Sequence, residues 1–278
     1  MIKLREKLMS AVFCIAALAS ILAVGLICFF LFANGLPAIA KIGAFEFLGG
    51  TEWSPADVPP VFGILPMIVG SLYVTAGAII IGVPIGVLTA VFLSHVCPKR
   101  IYRMVKPGVE LLAGIPSVVY GFFGMAVIVP LAGNSILAAC ILLGIMILPT
   151  VIGIAESALR AVPSQYYEGS LALGAGHYRS VFHVVLPAAK SGILAAVVLG
   201  VGRAIGETMA VIMVAGNQAR MPVSLFKGVR TLTANIVIEM GYAAELHREA
   251  LIATGVVLFV FILIINMSFS ALKRRSER

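Results

Sequence analysis

Long uncharged stretches alternate with short charged ones along the chain, and this pattern predicts membrane-spanning helices. Four stretches contain no Asp, Glu, Lys or Arg, at residues 8–40, 58–98, 111–155 and 250–272. About 20 apolar residues in a helix cross a hydrocarbon core of about 30 Å, so each stretch is long enough to span. The 111–155 stretch is long enough to cross twice, and residues 130–134 hold the Pro and Gly typical of a reversal. Another apolar segment lies between Lys190 and Arg220, interrupted by Arg203 and Glu207.

The pattern therefore predicts an all-α polytopic membrane protein with six transmembrane helices. They are expected at about residues 12–33, 63–93, 112–130, 135–154, 188–214 and 250–271. The 58–98 stretch is assigned one helix, because two would place its acidic and basic flanks on the same side. The first span, with the loop that follows it, occupies residues 1–62, and the remaining spans form a core over 63–278. The apolar core of that first span is too long for a cleaved secretory signal.

Composition and charge placement support this interpretation and give it an orientation. The chain is 61% hydrophobic and 12% charged, against about 25% charged in an average soluble domain. Fourteen of its twenty Lys and Arg residues fall at the termini and in the two loops on their side. This bias places both termini in the cytoplasm. The net charge of +8 then reflects topology and attraction to a lipid bilayer, and no nucleic-acid partner is expected.

The sequence contains no arrangement of residues that predicts catalysis. It has no phosphate-binding loop of the Gly-x4-Gly-Lys-Ser/Thr type and no convincing Ser/His/Asp cluster. The cysteines at 14, 28, 97 and 140 have no paired spacing, which argues against a disulfide framework or a metal site. We therefore expect no enzyme, no metal and no cofactor bound by this chain.

Arg203 and Glu207 are the two charges inside a predicted span. Each costs about 2.5 to 3.5 kcal/mol at the centre of a bilayer, so both should face the bundle interior or a wet cavity. In a continuous helix, their i, i+4 spacing puts them on one face. One interpretation is an ion pair that only neutralises itself. In the other, this face lines an anion path, where Arg203 binds a tetrahedral oxyanion and Glu207 accepts a hydrogen bond from a protonated one such as phosphate.

The longest polar interval on the expected cytoplasmic side runs from 156 to 187. It predicts a short helix around Glu168, a left-handed turn at Gly174, a second short helix, and a start of the fifth span at Pro187. Without a partner, such a segment is an amphipathic loop at the membrane surface.

This interval resembles the coupling loop of ATP-binding cassette (ABC) importer permeases, in which Glu-Ala-Ala, three residues, Gly, nine residues and Ile-x-Leu-Pro follow one another. Here Glu168-Gly169-Ser170, Gly174 and Val184 to Pro187 keep that spacing, with Gly-Ser for Ala-Ala and Val for Ile. The resemblance implies that the loop docks on a cytoplasmic ATPase and transmits its closure to the helices. The residues that carry this role would be Glu168, Gly169, Ser170, Gly174, Leu186 and Pro187.

Stretches at 53–75, 110–124, 200–217 and 230–240 are similar to the phosphate-importing members of this family. The resemblance runs from about Trp53 to the C-terminus. It implies a type I (MetI-like) ABC importer permease fold in the cytoplasmic membrane of a bacterium or archaeon, with phosphate as substrate. The implied partners are a sister permease subunit, a homodimeric ATPase that uses ATP, and a phosphate-binding protein.

Three other interpretations stay open at the level of sequence. The chain can be a permease of the same kind for another oxyanion or an organic solute. It can be an ion-coupled secondary transporter in which Arg203 and Glu207 relay protons. It can also be a membrane scaffold or sensor that transports nothing.

Overall fold

The computed structural model describes the backbone of residues 2–276, and the side-chain surroundings at 5–268, 270 and 271. The chain starts with one long helix, α1 (Ile2–Ile42), followed by the short α2 (Ala44–Gly49). Two short antiparallel strands, β1 (Trp53–Ser54) and β2 (Val61–Phe62), lead into α3 (Leu65–Val91). A π-helical turn over Phe92–Val96 continues α3, so the 58–98 stretch forms one span, as predicted.

The third span is shorter than the sequence predicts, because a surface helix takes up its first residues. This helix, α4 (Lys99–Gly114), has no buried residue and meets the next helical segment at 101°. The span itself consists of α5 (Ser117–Phe123), a π-helical turn (Gly124–Ile128) and α6 (Val129–Ala132). The break falls at Ile115, which is extended (φ −70°, ψ 126°) because the next residue is Pro116. The start predicted at about residue 112 is therefore wrong.

The predicted reversal after the third span is confirmed. Gly133 has a positive φ of 67°, which ends α6, and α7 (Ile136–Arg160) follows. The Oγ of Ser135 accepts a hydrogen bond from the backbone N–H of Ala138 at 3.2 Å and caps the start of α7. This helix continues to Arg160, so Glu156 belongs to the fourth span and not to the loop after it.

The fifth span is broken, and its prediction as one helix over 188–214 is wrong. After α8 (Ser164–Ala172), α9 (His177–Ser180), a π-helical turn (Val181–Val185) and α10 (Leu186–Ala188), the chain bends by 69° into α11 (Lys190–Gly206). Glu207 is extended (φ −70°, ψ 131°), and a separate helix, α12 (Met209–Val214), follows. Pro187 therefore lies before the bend and does not start the span.

The last helices bring the C-terminal end of the chain to the same side of the bundle as the N-terminal end. The short α13 (Leu232–Glu239) precedes the long α14 (Glu245–Ser276), which packs antiparallel to α1. The Nζ of Lys41 lies 2.6 Å from the Oε2 of Glu249, at the same end of both helices. By length and composition, the four helices α1, α3, α7 and α14 are long enough to span, and the two bent pairs raise the number to as many as the six expected. We call the end of the bundle with both termini the terminal side, and the other end the opposite side.

The centre of the bundle is the contact between α3 and α7. A Cβ atom added to Gly82 would lie 2.6 Å from Cγ1 of Ile147 and 2.7 Å from the carbonyl oxygen of Gly144, so only glycine allows this approach. The surrounding core is apolar and contains Val74, Ala78, Leu142, Leu143, Met146 and Val211. This packing fixes α7, which carries two of the polar side chains described below.

Candidate functional site

The segment after α7 forms the helix–turn–helix that the sequence predicts. Gly174 has a φ of +86° and donates its backbone N–H to the carbonyl oxygen of Leu171 at 2.9 Å, which ends α8 in a left-handed conformation. The Oγ of Ser180 donates to the Oγ of Ser170 at 2.9 Å, and Tyr167 hydrogen-bonds His177 at 2.6 Å. These two bonds hold α8 against α9 on the terminal side.

The outer surface of this helix–turn–helix is exposed and partly apolar. Leu173 is 91% exposed at the turn, and Tyr166 and Tyr178 are 56% and 64% exposed. Glu168 and Gly169 are exposed on α8. Four of the six sequence-predicted coupling residues, Glu168, Gly169, Ser170 and Gly174, therefore share this segment.

The other two predicted coupling residues lie elsewhere. Leu186 and Pro187 are in α10, at the bend that leads into the fifth span. Leu186 packs against the buried cluster that also receives Tyr167 from α8. The structure thus connects Leu186 to the helix–turn–helix through the core, whereas Pro187 is exposed at the bend.

Arg203 lies deep in the bundle with one protein partner. It sits about 20 Å along α11 from Lys190 and is half-buried. Its Nη1 donates to the Oγ1 of Thr150 on α7 at 3.1 Å. Among the side chains that the structure describes, no carboxylate forms an ion pair with it. Most of its five N–H donors are therefore free for a ligand.

Glu207 does not share a helical face with Arg203, and that expectation is wrong. The helix ends at Gly206, and the Oε1 of Glu207 accepts hydrogen bonds from the backbone N–H groups of Thr208 (3.1 Å) and Ala210 (3.3 Å). These donors at the start of α12 would otherwise lack partners. Arg203 and Glu207, both within the described part of the chain, do not form the self-neutralising ion pair.

A buried carboxylate that the sequence did not single out organises the terminal side. Glu156 is 2% exposed and accepts hydrogen bonds from Tyr102 Oη (2.9 Å), Lys106 Nζ (2.8 Å) and Arg160 Nε (2.9 Å). The guanidinium of Arg160 also donates to the carbonyl oxygen of Leu93 at 3.1 Å. This network ties α4 to α7 and to the end of α3. The signal that could have found it is an acid at the edge of an apolar run with Arg at i+4.

A second buried carboxylate organises the opposite side in the same way. Glu239 is 4% exposed and accepts hydrogen bonds from Trp53 Nε1 and Arg230 Nη1, and His247 Nε2 lies 2.8 Å from its Oε2. The guanidinium of Arg230 also donates to Asn235 Oδ1 at 3.0 Å. The partners are up to 186 residues apart in the chain, so no local sequence pattern could reveal them.

Solved structures of two transporters share the fold of this chain. A chain of an inward-facing structure of the MetNI methionine ABC transporter matches with a TM-score of 0.66 at 21% identity, over 77% of this chain and 96% of that one. A bacterial ABC transporter involved in import of the acidic polysaccharide alginate matches with a TM-score of 0.59 at 17% identity, over 93% and 95%. The fold is that of a MetI-like ABC importer permease.

The sequence places the chain more narrowly within that class. Residues 82–278 match the family of binding-protein-dependent transport system inner membrane components, and the chain belongs to this family. It is a transport permease subunit, and binding-protein-dependent transport requires a substrate-binding partner and an ATPase.

Its relatives include named permeases of bacteria and archaea. The probable ABC transporter permease protein YqgH of Bacillus subtilis is 40% identical over 90% of this chain and 86% of its own length. The phosphate transport system permease protein PstC of Mesorhizobium japonicum is 34% identical, over 90% and 84%. A probable phosphate transport system permease protein PstC of Methanocaldococcus jannaschii is 33% identical, over 86% and 84%.

Proposed function

We propose that this chain is the membrane-spanning permease of an ATP-driven importer of inorganic phosphate. The observation that carries the proposal is Arg203, a half-buried guanidinium in the fifth span that has a hydroxyl partner and, among the described side chains, no carboxylate partner. An unpaired cation at this depth is costly unless it serves an anion. The phosphate permeases among the relatives support phosphate as that anion.

Arg203 suits a tetrahedral oxyanion, because its planar fork can donate two parallel hydrogen bonds to two oxygens. Thr150 binds one edge of the guanidinium and orients the remaining donors. Glu207 keeps one carboxylate oxygen in the cap of α12, and its second oxygen makes no hydrogen bond within the described residues. In the proposed mechanism this oxygen accepts a hydrogen bond from monoprotonated phosphate and repels sulfate, which carries no proton near neutral pH.

The helix–turn–helix of α8 and α9 supplies the connection to ATP hydrolysis. Glu168, Gly169 and Gly174 lie on the exposed surface that docks on the ATPase, and Ser170 holds α8 against α9 beneath that surface. Leu186 and Pro187 pass its movement to the bend before α11. The chain itself binds no cofactor, and the ATP is used by the partner ATPase. Leu173, at the tip of the turn, is 91% exposed, and contact with that partner would remove its apolar surface from water.

The proposed complex places the terminal side in the cytoplasm, consistent with the excess of Lys and Arg there. The partners are a sister permease of the PstA type, a homodimeric ATPase of the PstB type and a phosphate-binding protein of the PstS type. The complex lies in the cytoplasmic membrane of a bacterium or archaeon, and the binding protein approaches from the opposite side.

The test is ATP-dependent uptake of radiolabelled phosphate by the reconstituted complex with Arg203→Ala. We expect uptake to fall at least about tenfold, which corresponds to a loss of about 1.4 kcal/mol or more. Arg203→Lys keeps the positive charge but loses the paired N–H donors of the planar guanidinium, so this variant should retain part of the phosphate uptake. Wild-type uptake by a correctly assembled Arg203→Ala complex would exclude the proposed role of Arg203.

A further inference from the structure

Helix α4 is an amphipathic helix for which the proposed transport cycle assigns no role. It connects the second and third spans and meets the third at 101°, so its axis runs along the membrane plane. None of its residues is buried, and Ile101, Met104 and Leu111 are 46%, 80% and 73% exposed. A helix of this kind normally lies at the surface of a bilayer.

The three kinds of side chain on α4 occupy separate sectors of the helix. At 3.6 residues per turn, the apolar side chains at 101, 104, 105, 111 and 112 share one arc of about 120°. The basic side chains of Lys99, Arg100 and Arg103 lie in the neighbouring arc. Tyr102 and Lys106, which bind Glu156, lie at the edge where the helix meets the bundle. Those two bonds fix the rotation of α4 about its own axis.

The basic arc borders an open groove of about 460 Å³ between α4 and the ends of α3 and α7. Lys99, Arg103 and Arg160 contribute three cations to its walls, beside Ser94 and Tyr102. Arg160 is already bound to Glu156, whereas Lys99, Arg100 and Arg103 form no ion pair within the described residues. The one exposed acid on this helix, Glu110, lies 3.7 Å from Lys106 and leaves those three cations free.

We propose that α4 lies in the leaflet on the terminal side and that the groove beside it binds the headgroup phosphate of an anionic phospholipid. Lys99, Arg100 and Arg103 select the charged headgroup, and the apolar arc contacts the acyl chains. A soluble partner would satisfy the basic arc and leave the apolar arc in water, whereas a lipid satisfies both. Because Arg160 of α7 lines the groove, the lipid also contacts the helix that carries Thr150 and leads into the helix–turn–helix.

The test uses the whole importer complex with Met104→Trp, in vesicles of phosphatidylcholine and phosphatidylglycerol. In one sample the phosphatidylcholine carries bromine on its acyl chains, and in the other the phosphatidylglycerol does. Bromine quenches the fluorescence of a nearby tryptophan, so the ratio of the two quenching efficiencies reports which lipid is enriched around residue 104. Met104 is 80% exposed, so the substitution disturbs little packing. The only native tryptophan, Trp53, is 7% exposed. Its background fluorescence and quenching are measured in the complex without the Met104→Trp substitution.

We expect the lipid to quench the introduced tryptophan strongly and phosphatidylglycerol to be enriched at least about twofold, because each cation near the surface attracts anionic lipid. The enrichment should disappear in the variant K99Q/R100Q/R103Q. The matched control R220Q/K227Q/R248Q removes three cations from the opposite side and should leave the enrichment unchanged. Excess inorganic phosphate should also leave it unchanged.

Any one of four results would overturn the proposal. If neither lipid quenches the introduced tryptophan, the apolar arc is covered by protein. If the enrichment is absent with all bases present, or survives in the triple variant, these cations do not select the lipid. If inorganic phosphate abolishes the enrichment, the groove binds the free anion. None of these results bears on phosphate uptake through Arg203, which lies in a different span.

Discussion

At the scale of single residues, the interior of this permease is defined by three polar side chains with different partners. Glu156 and Glu239 each accept three close polar contacts and are almost completely buried. Arg203 donates one hydrogen bond to Thr150, and its other N–H donors have no partner among the described side chains. Because a buried polar group without partners is costly, the two satisfied carboxylates fit structural roles and the less satisfied guanidinium fits a ligand.

Thr150→Val removes the hydroxyl that orients Arg203 and keeps the shape of the side chain. Loss of this hydrogen bond, worth about 1 kcal/mol, should lower phosphate uptake about fivefold, mainly through a higher KM. The measurement is initial uptake against phosphate concentration. Thr150→Ser retains the hydroxyl and should stay near the wild type; equal uptake by the valine and serine variants would show that Thr150 does not position Arg203.

Glu156→Ala removes the acceptor that Tyr102, Lys106 and Arg160 share. The side chain of Arg160 is 47% exposed, so solvent compensates part of the loss, and we expect destabilisation by about 1 to 3 kcal/mol. The measurement is the Tm of the purified chain in detergent, together with hydrogen exchange of α4, which should become faster. Glu110→Ala is the matched control, because its carboxylate is 65% exposed and should contribute less than about 1 kcal/mol. A Tm equal to that of the control would contradict the network.

At the scale of elements, hydrophobic runs predict the spans well and their internal breaks poorly. The four long spans, the single span within 58–98, the reversal near Gly133 and the turn at Gly174 follow from run length and from glycine and proline. The break at Glu207 could not be predicted in this way, because it depends on a side chain that caps the next helix. The partners of Arg203, Glu156 and Glu239 depend on tertiary contacts, so the sequence could mark Arg203 as a candidate but could not supply Thr150.

Gly174→Ala tests the turn between α8 and α9. Its φ of +86° costs a residue with a Cβ about 1 to 2 kcal/mol, so the turn should open or shift. We expect phosphate uptake to fall several-fold while the ATPase still hydrolyses ATP, because the two processes become uncoupled. The measurement is the ratio of phosphate imported to ATP hydrolysed.

Gly176→Ala is the control for that experiment. Gly176 has a φ of −70°, and nothing lies within 4 Å of an added Cβ atom. This variant should keep the wild-type ratio of import to hydrolysis. An unchanged ratio in Gly174→Ala would show that the left-handed turn is not needed for coupling.

At the scale of the whole molecule, a buried carboxylate network closes each end of the bundle, and Arg203 lies between them. The Glu156 network joins α3, α4 and α7 on the terminal side, and the Glu239 network joins the β1 strand, α13 and α14 on the opposite side. Each end of the bundle is thus tied together by hydrogen bonds to a buried carboxylate, and Arg203 lies in the part between them. Between the two ends, the helix of the fifth span is interrupted after Gly206.

The orientation of the bundle can be tested with single cysteines in a chain whose four native cysteines are replaced by alanine. Val58 is 98% exposed in the hairpin loop on the opposite side, and Leu173 is 91% exposed on the terminal side. In cells with a permeable or absent outer membrane, an impermeant maleimide should label Val58→Cys directly and Leu173→Cys only after lysis. The reverse pattern would place the terminal side outside the cell and contradict the charge bias.

Whether the chain imports phosphate at the expense of ATP is decided by transport in proteoliposomes that hold the complete complex, with ATP and the binding protein supplied on their proper sides. We expect radiolabelled phosphate to accumulate only with ATP, and excess unlabelled phosphate to compete while sulfate and molybdate do not. Accumulation driven by an imposed membrane potential without ATP, or equal competition by sulfate, would contradict the proposed function.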